Sequence, residues 1–331
     1  MTLQPLFDYK ILLKAILSKK KHTNKILIKS GRLAFNYIIN DIKENNNKIN
    51  KIILPNLICD EIVMIAEYHK IEVKYYNIDN ELNYDINEIE DIAKDENNII
   101  VLVNYFGFVK DHIITQKLKN NFIIEDNAHV LKKINDDNQN PFLDYSFSSL
   151  RKLLPVLSGA EVYSSKHKLD INQDSRFPDF GEMKYSLRSL KKSRIGVSKM
   201  GHSSNRIDIS NYNIDIFSKL IINNYKFSYS QIALQRRKNF IFWESYLKDN
   251  EINFMRSINI NDEICPYAFP CYFTNDEKYN KWLEWGKSRN ITIIAWPKYH
   301  KDTFKYIPDN FLRRILLFPV NHQFDLNKII S

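Results

Sequence analysis

Glycine and cysteine are scarce in this chain, and each shortage excludes a class of site. Only seven of the 331 residues are glycine, and neither a G-x-G-x-x-G pattern nor a P-loop occurs. The three cysteines, Cys59, Cys265 and Cys271, are odd in number and lack metal-ligand spacing. They are typical of reduced thiols in a cytoplasmic protein without a structural metal. The composition therefore argues against a Gly-rich dinucleotide site, a disulfide-bonded scaffold and a metal site.

Long apolar runs are also lacking, since no segment approaches the roughly 20 apolar residues needed to cross a bilayer. The N-terminal stretch MTLQPLFDYKILLKAILSKKKHT is typical of a short amphipathic helix followed by a basic run. It has neither the apolar core nor the small-residue cleavage site of a secretory signal. We therefore expect residues 1–25 to form a packing arm, and we expect no membrane span.

The formal net charge of +9 suggests an anionic partner. The lysine excess, however, accompanies heavy isoleucine and asparagine use, and no block of five or six like charges occurs. No signature of a nucleic-acid-binding module is present either. The charge therefore favours a phosphate-bearing small substrate, and a nucleic-acid binder is the alternative that it leaves open.

Predicted strands and helices alternate with short connections from residue 26 onward. Strands are expected at 26–28, 51–55, 71–79, 98–104, 122–126 and 143–149. This alternation is typical of an α/β fold with a mostly parallel sheet covered by helices on both faces. After residue 252, strands flank one helix, which predicts a smaller α+β unit. We expect an N-terminal arm over 1–25, a large α/β domain over 26–235 and a small α+β domain over 236–331.

The most informative stretch is 122–160, which places an acid and a lysine after neighbouring strands. The apolar run 122–124 ends at Glu125 and Asp126, and His129 follows shortly after. A second short strand then leads to Lys152. Because open α/β sheets bind ligands at the carboxyl ends of their strands, this pair suits a pyridoxal phosphate site. Taken alone, the acid could equally be a helix cap or turn former, and the lysine a solvated charge.

A second candidate feature is the helix start at Ser30-Gly31-Arg32. The free N–H groups and positive dipole end of a helix start suit a phosphate group. A plain N-cap at Ser30 explains the same residues without any ligand.

Taken in order, these segments resemble the DegT/DnrJ/StrS-type sugar aminotransferases, which are pyridoxal phosphate enzymes of fold type I. The resemblance runs from about residue 28 to the end of the chain, and its most specific parts are IIEDNAH (123–129) and DYSFSSLRK (144–152). The other matching stretches are SGRLAF (30–35), KIILPN (51–56), VNYFG (103–107), RRKNF (236–240), PYAFPCYF (266–273), AWP (295–297) and LLFPVNHQF (316–324).

The resemblance implies pyridoxal 5'-phosphate as the cofactor and assigns roles to residues of this chain. Lys152 would form the Schiff base, Asp126 would face the pyridine nitrogen, and His129 would lie close to the ring. The assigned phosphate-binding groups are the backbone at Gly31 and Arg32 and the hydroxyl of either Ser148 or Ser149.

Other implied residues lie where this chain departs from the usual pattern. Cys59 stands near the position of a stacking aromatic, so stacking is expected from His129 or Tyr105 instead. The turn after the lysine is Ser158-Gly159-Ala160 rather than an acidic-Gly-Gly turn. Asn224 belongs to a stretch, 224–226, that would reach the phosphate bound by a neighbouring subunit, which implies a homodimer.

The activity implied by the resemblance is transfer of an amino group, with glutamate as donor, onto a nucleotide-linked keto-sugar for surface polysaccharide or glycan synthesis. Two alternatives remain open from the sequence. One is a different pyridoxal phosphate reaction on a sugar, such as dehydration, although the retained Lys152 argues against one such route. The other is a non-catalytic relative, which the changes at Cys59 and at 158–160 would permit.

Overall fold

The computed structural model describes residues 1–16, 26–45, 48–132, 142–169, 175–191, 209, 211–224, 228–248, 260–301, 303–307 and 311–330. Within these ranges the strands form one seven-stranded sheet and one three-stranded sheet.

Six of the seven strands of the large sheet lie in segments that the sequence predicts as strands, whereas the strand over 160–164 was not predicted. Its strands are β1 Ile26–Ile28, β2 Lys51–Pro55, β3 Glu72–Tyr76, β4 Ile99–Val103, β5 Phe122–Asn127, β6 Tyr145–Ser148 and β7 Ala160–Ser164. They lie in the order β1-β7-β6-β5-β4-β2-β3. Every residue of β4 is buried, as expected for a strand inside a parallel sheet with both faces covered.

Parallel pairing dominates this sheet. The pairs β2–β3, β2–β4, β4–β5 and β5–β6 are parallel, whereas β7 runs antiparallel to both β1 and β6. The predicted α/β class with a mostly parallel sheet is therefore confirmed. The carboxyl ends of β4, β5 and β6 lie side by side, and this edge is where the residues after these strands meet.

Helices occupy the connections between the strands. Their bounds are α1 Tyr9–Ile16, α2 Gly31–Glu44, α3 Asp60–Tyr68, α4 Ile86–Ile92, α5 Phe180–Lys191, α6 Ile216–Asn224, α7 Tyr229–Lys248 and α8 Asp276–Ser288. In α2 the buried residues Leu33, Phe35, Ile38, Ile39 and Ile42 recur at helical spacing. Its start is fixed by Ser30, whose hydroxyl accepts a hydrogen bond from the Leu33 N–H at 3.4 Å.

The small sheet contains β8 Ala268–Tyr272, β9 Ile294–Ala295 and β10 Ile315–Pro319, in the order β8-β10-β9. Both pairings are antiparallel. A second apolar core lies between this sheet and helices α7 and α8, around the fully buried Trp243. The Trp243 indole N–H donates to the Pro319 carbonyl at 2.8 Å, so this large side chain is buried with its polar atom satisfied.

The first residues of the chain pack onto the C-terminal part of the protein. The Leu6 N–H donates to the side-chain oxygen of Gln323 at 2.7 Å, and the Gln323 amide donates to the Leu6 carbonyl at 2.8 Å. Leu3 and Phe7 are buried. The division into 1–25, 26–235 and 236–331 stays a prediction, and its second boundary falls inside α7.

None of the helices in the described part of the chain combines the length and the apolar character that a bilayer crossing requires.

Candidate active site

A cavity of about 260 Å³ lies at the carboxyl edge of the parallel strands. Seven of the nine predicted site residues line it, namely Gly31, Arg32, Cys59, Asp126, His129, Ser149 and Lys152. The structure therefore brings together side chains that are far apart in sequence, as the position of this edge predicts.

Asp126 lies at the inner wall of the cavity, near the end of β5. Its side chain is buried, and one carboxylate oxygen accepts a hydrogen bond from the Ala128 N–H at 2.8 Å. Burial raises the pKa of Asp126 to about 6, and the positive charge of Lys152 opposes that rise. The cavity thus holds an acid that gains from any cationic partner placed against it.

The side chain of the neighbouring acid, Glu125, points to the opposite face of the sheet from that of Asp126, because successive strand residues alternate between the two faces. Its carboxylate accepts from the Asn104 side-chain amide at 3.0 Å and pairs with Lys132 at 3.2 Å. It does not line the cavity. Of the two adjacent acids, only Asp126 is available to a ligand there.

Lys152 enters the cavity from a short 3₁₀ helix, Leu150–Lys152, that directly follows β6. The backbone of this turn is closed by the Lys152 N–H, which donates to the Ser149 carbonyl at 3.0 Å. The Lys152 Nζ lies 5.9 Å from the centroid of the Tyr267 ring. Its positive charge also acts on Asp126, His129 and Cys59. The amine therefore faces the cavity rather than bulk solvent.

His129 is part of an aromatic wall. Its ring is parallel to that of Tyr267, at 4.4 Å between centroids, and nearly parallel to that of Phe106, at 5.8 Å. Trp296 packs edge-on against it at 5.3 Å. Burial lowers the pKa of His129 well below its ordinary value, and Lys152 adds to the effect. The imidazole is therefore neutral, and its Nδ1 accepts from the Phe106 N–H at 3.4 Å.

One end of the cavity has the chemistry of an anion site. The start of α2 faces Ser149 so closely that a Cβ on Gly31 would lie 3.3 Å from the Ser149 Cβ. The first-turn N–H groups of a helix have no partner within the helix. The Nε of Arg32 is buried without a hydrogen-bond partner, and one of its terminal nitrogens lies 3.7 Å from the Glu61 carboxylate.

Cys59 and Tyr105 contribute neutral groups to the same cavity. Cys59 immediately precedes α3 and makes no side-chain cap. Burial raises the pKa of its thiol to about 12, so the sulfur stays protonated near neutral pH. Tyr105 donates its hydroxyl to the Leu57 carbonyl at 2.8 Å, which holds its ring against Trp296.

Two predicted site residues are not brought into this cavity. Ser148 is the last residue of β6 and points to the other face of the sheet, where its hydroxyl accepts from the Glu161 N–H at 3.3 Å. It lines a separate cavity of about 30 Å³. Of the two serines left open by the sequence, Ser149 is the one in the candidate site, because alternation along the strand separates them.

Asn224 is the second of these residues. It lies at the end of α6, and its side-chain amide donates to the Leu220 carbonyl at 2.9 Å. It does not line the cavity of its own chain. The adjoining residues 225–227 lie outside the described residues.

Several lining residues were missed by sequence reasoning. They include Trp296, Glu182, Asn211 and Ser158. Trp296 follows β9 in the small sheet, and its only sequence signal is the AWP stretch, to which the resemblance assigns no role. Glu182 lies on α5 and makes two hydrogen bonds to the Arg176 guanidinium, at 2.5 and 2.7 Å. No local pattern marked it, since residues 163–211 carry no clear periodicity.

Metal ligation is not indicated by the residues that the structure describes. Among them, no group of three or more His, Cys, Asp or Glu side chains could hold a metal ion. The donors that converge here, an amine, a carboxylate, a hydroxyl and a helix start, suit an organic ligand that carries an anionic group.

Solved structures with the same fold extend over nearly the whole chain. The Streptococcus pneumoniae protein Spr1654, described as a sugar aminotransferase and solved in its PLP form, aligns with a TM-score of 0.68 at 12% identity, covering 100% of this chain and 96% of that one. The Helicobacter pylori aminotransferase PseC, involved in the biosynthesis of pseudaminic acid, aligns with a TM-score of 0.66 at 14% identity and coverages of 99% and 95%.

A dehydratase is also among the similar structures. The Escherichia coli GDP-4-keto-6-deoxy-D-mannose-3-dehydratase, with bound hydrated PLP, aligns with a TM-score of 0.63 at 16% identity and coverages of 99% and 97%. No protein-family model and no curated protein matches the sequence. At these identities the likeness shows the fold, and it confirms the predicted fold type I architecture.

Proposed function

We propose that this protein is a pyridoxal phosphate-dependent aminotransferase acting on a nucleotide-linked keto-sugar, with glutamate as the amino donor. The observation that carries the proposal is the presence of Asp126 and Lys152 in one cavity, with an anion-binding end formed by Gly31 and Ser149. The shared fold with two sugar aminotransferases supports it.

The residues present fit the cofactor. Asp126 is a buried carboxyl whose pKa of about 6 would be lowered by a protonated ring nitrogen beside it. The unpartnered Nε of Arg32 and the backbone N–H groups of Gly31 and Arg32 at the start of α2 suit a phosphate group. Ser149 adds a hydroxyl at the same end. Cofactor binding would therefore satisfy polar groups that have no protein partner.

The roles of the chain's own residues follow from their positions. When bound, pyridoxal phosphate supplies an electron sink that makes the substrate's carbon–hydrogen bond acidic. Lys152 would hold the cofactor and would then serve as the base that moves the proton at the substrate carbon. Asp126 would keep the ring nitrogen protonated. His129 is neutral and fixed by Tyr267, so it would serve as a flat wall beside the ring.

We propose surface polysaccharide or glycan synthesis as the biological role. We also propose a cytoplasmic location, because the three cysteines are free and two of them are buried. The likeness to the Helicobacter pylori aminotransferase involved in the biosynthesis of pseudaminic acid supports a sugar substrate. The cationic residues that line the cavity, Lys29, Arg32 and Arg151 besides Lys152, suit a substrate with phosphate groups.

We further propose a homodimer, and an exposed apolar face on α5 supports it. Phe180, Met183 and Leu187 recur at helical spacing and are exposed, as is Phe177 just before the helix. Glu182 and Ser186 on the same helix are buried. A cluster of exposed large apolar side chains is typical of an interface. In such a dimer Asn224 is proposed to reach the partner's cavity.

The test is to purify the protein, add pyridoxal phosphate and follow the visible absorbance on addition of glutamate. We expect the cofactor to bind through Lys152 and to be converted to its amine form as 2-oxoglutarate appears. Borohydride reduction followed by peptide mass analysis should locate the cofactor on the peptide that contains residue 152. A protein that takes up no pyridoxal phosphate would contradict the proposal.

Dehydration of a sugar is the second candidate, favoured by the likeness to the Escherichia coli dehydratase. Incubation of a nucleotide keto-sugar with and without glutamate separates the two reactions. An amino-sugar formed only with glutamate supports transamination, whereas a deoxy-sugar product indicates dehydration. Cofactor binding without conversion by any amino acid would indicate a non-catalytic relative.

A further inference from the structure

Arg236, on α7, is a fully buried arginine that does not line the cavity. Its guanidinium donates to three backbone carbonyls, those of Pro266 at 3.2 Å, Tyr267 at 3.3 Å and Leu153 at 3.3 Å. Its Nε has no hydrogen-bond partner. The side chain therefore joins two segments that are far apart in the sequence, one beside each sheet.

No carboxylate of the described residues balances the charge of Arg236. The titratable groups that interact with it are Cys265, Tyr267 and His322, and all three are uncharged near neutral pH. Burial raises the pKa of Cys265 to about 11 and also raises the pKa of Tyr267. Burial and the charge of Arg236 lower the pKa of His322 to about 3. A buried charge without a charged partner is costly, so the geometry that this arginine fixes explains it better than stability does.

The two segments that Arg236 joins both belong to the surroundings of Lys152. Leu153 directly follows Lys152, and its N–H donates to the Leu150 carbonyl at 2.9 Å, within the turn that carries the lysine. Tyr267 lies under the Lys152 amine, with 5.9 Å between Nζ and the ring centroid. The guanidinium thus contacts both the backbone that follows the lysine and the backbone of the ring that the amine faces.

We propose that Arg236 is a positioning residue, which holds the Lys152 amine in place to move the proton at the substrate carbon by joining the turn after β6 to the start of β8. This inference rests on the proposed function and adds a residue that contacts neither cofactor nor substrate. Proton transfer depends steeply on the placement of the base, and a displacement of about 1 Å can lower a rate about 100-fold. Arg236 therefore acts on the rate of the reaction and not on binding.

The first experiment measures how fast glutamate converts the bound pyridoxal phosphate to its amine form. For Arg236→Met, we expect the maximal rate to fall about 100-fold, because the turn and the ring are no longer joined. The glutamate concentration at half-maximal rate and the dissociation constant for pyridoxal phosphate should stay within about threefold of wild type, since Arg236 does not line the cavity.

Arg236→Lys tests the same point with a smaller change. Lysine keeps the positive charge but lacks the guanidinium fork, so it can donate to only some of the three carbonyls. We expect the maximal rate to fall about 10-fold, between the wild type and the methionine variant. This variant also decides the question if Arg236→Met does not fold, because a lysine variant with the wild-type rate would overturn the inference.

Arg237→Met is the matched control. The Arg237 guanidinium lies on the same helix and donates to the Asp262 and Ile264 carbonyls, both at 3.0 Å. Among the described residues, none of its hydrogen bonds reaches the turn that carries Lys152. Loss of these bonds should lower the free energy of unfolding but leave the maximal rate within about threefold of wild type.

The second experiment needs neither cofactor nor turnover. Hydrogen exchange is followed in the cofactor-free protein on peptides that contain residues 150–154 and 262–264, since the N–H groups of residues 152–154 are all hydrogen-bonded within the turn. Arg236→Met should speed exchange in 150–154 about 10-fold, because the turn loses its contact with the small-sheet side. Arg237→Met should speed exchange in 262–264 and leave 150–154 unchanged.

The outcomes separate this inference from the proposed function. Unchanged exchange in 150–154 for Arg236→Met would overturn the inference, and so would an equal loss of rate in the two methionine variants. A raised half-maximal glutamate concentration at an unchanged maximal rate would also overturn it, by assigning Arg236 to binding. A wild type whose cofactor glutamate does not convert would instead refute the proposed function, and the exchange in 150–154 would still show whether Arg236 holds the turn.

Discussion

The imidazole of His129 lies parallel to the ring of Tyr267, with 4.4 Å between the centroids and 12° between the planes. His129 follows β5 of the large sheet, and Tyr267 directly precedes β8 of the small sheet. The contact therefore joins the two sheets at the wall of the cavity. Because Tyr267 also lies under the Lys152 amine, the small sheet helps to shape the environment of that lysine.

Gly107→Ala should move the ring of Tyr267 away from that of His129. Gly107 has a φ of +99°, and an added Cβ would lie 2.5 Å from the Cys265 carbonyl oxygen and 2.8 Å from the Tyr267 nitrogen. Both are backbone atoms, so the strand start must shift. We expect a loss of about 2 to 5 kcal/mol in the free energy of unfolding. Urea denaturation measures it.

Gly181→Ala is the control for the preceding prediction. Gly181 lies in the first turn of α5, is exposed and has an ordinary φ, so alanine should change the free energy of unfolding by less than about 1 kcal/mol. A similar loss in both variants would show that the close approach of Gly107 to the Cys265–Tyr267 backbone is not the cause of the lower free energy of unfolding.

Asp126→Asn should stabilise the cofactor-free protein at neutral and alkaline pH. Burial raises the folded-state pKa of Asp126 from 3.8 to about 6, so between these values the folded state binds more protons than the unfolded state. The carboxyl then costs stability progressively as pH rises through this window, up to about 3 kcal/mol above it.

We expect the asparagine variant to unfold at higher urea concentration than the wild type at about pH 8, with the difference shrinking toward about pH 4. The same variant should bind pyridoxal phosphate more weakly, since the amide cannot neutralise a protonated ring nitrogen. A stability difference that does not depend on pH would argue against the buried carboxylate as its cause.

Lys152→Ala should abolish covalent attachment of the cofactor while leaving the anion-binding end of the cavity intact. Borohydride treatment should then add no mass to the protein, and glutamate should produce no 2-oxoglutarate. Lys94→Ala removes a surface lysine that pairs with Asp91, and it should retain both properties. Labelling of another lysine in the Lys152→Ala protein would contradict the assignment.

The two neighbouring serines should behave differently. Ser149→Ala removes a hydroxyl at the proposed phosphate site, so we expect the dissociation constant for pyridoxal phosphate to rise about 10-fold or more. Ser148 lines the other cavity, so Ser148→Ala should leave that constant within about twofold of wild type. Equilibrium titration of the two variants measures both effects, and equal losses would refute the separation of the serines.

Local patterns in the sequence were sufficient for the strands that form the cavity. The apolar run at 122–124 and the acids after it predict the end of β5, and the run before Lys152 predicts β6. Because parallel neighbours share a carboxyl edge, these two predictions place Asp126 and Lys152 at the same end of the sheet. The α/β class follows from the same alternation.

The small-sheet side of the cavity could not be predicted in this way. Trp296 and Tyr267 come from segments more than a hundred residues beyond β5, and no local pattern states which part of a second sheet will face the first. The choice between Ser148 and Ser149 depended on the residue at which β6 ends, and the ends of strands are the least predictable part of a sequence-based assignment.

The sequence by itself determined six of the seven strands of the large sheet, the acid and the lysine after two of them, and the helix start suited to an anion. Only the tertiary structure decided which serine faces the cavity, that Glu125 faces away from it, and that an aromatic wall closes it from the small sheet. Strand formation depends on neighbouring residues, whereas the facing of a side chain and the docking of a second sheet depend on packing between distant segments.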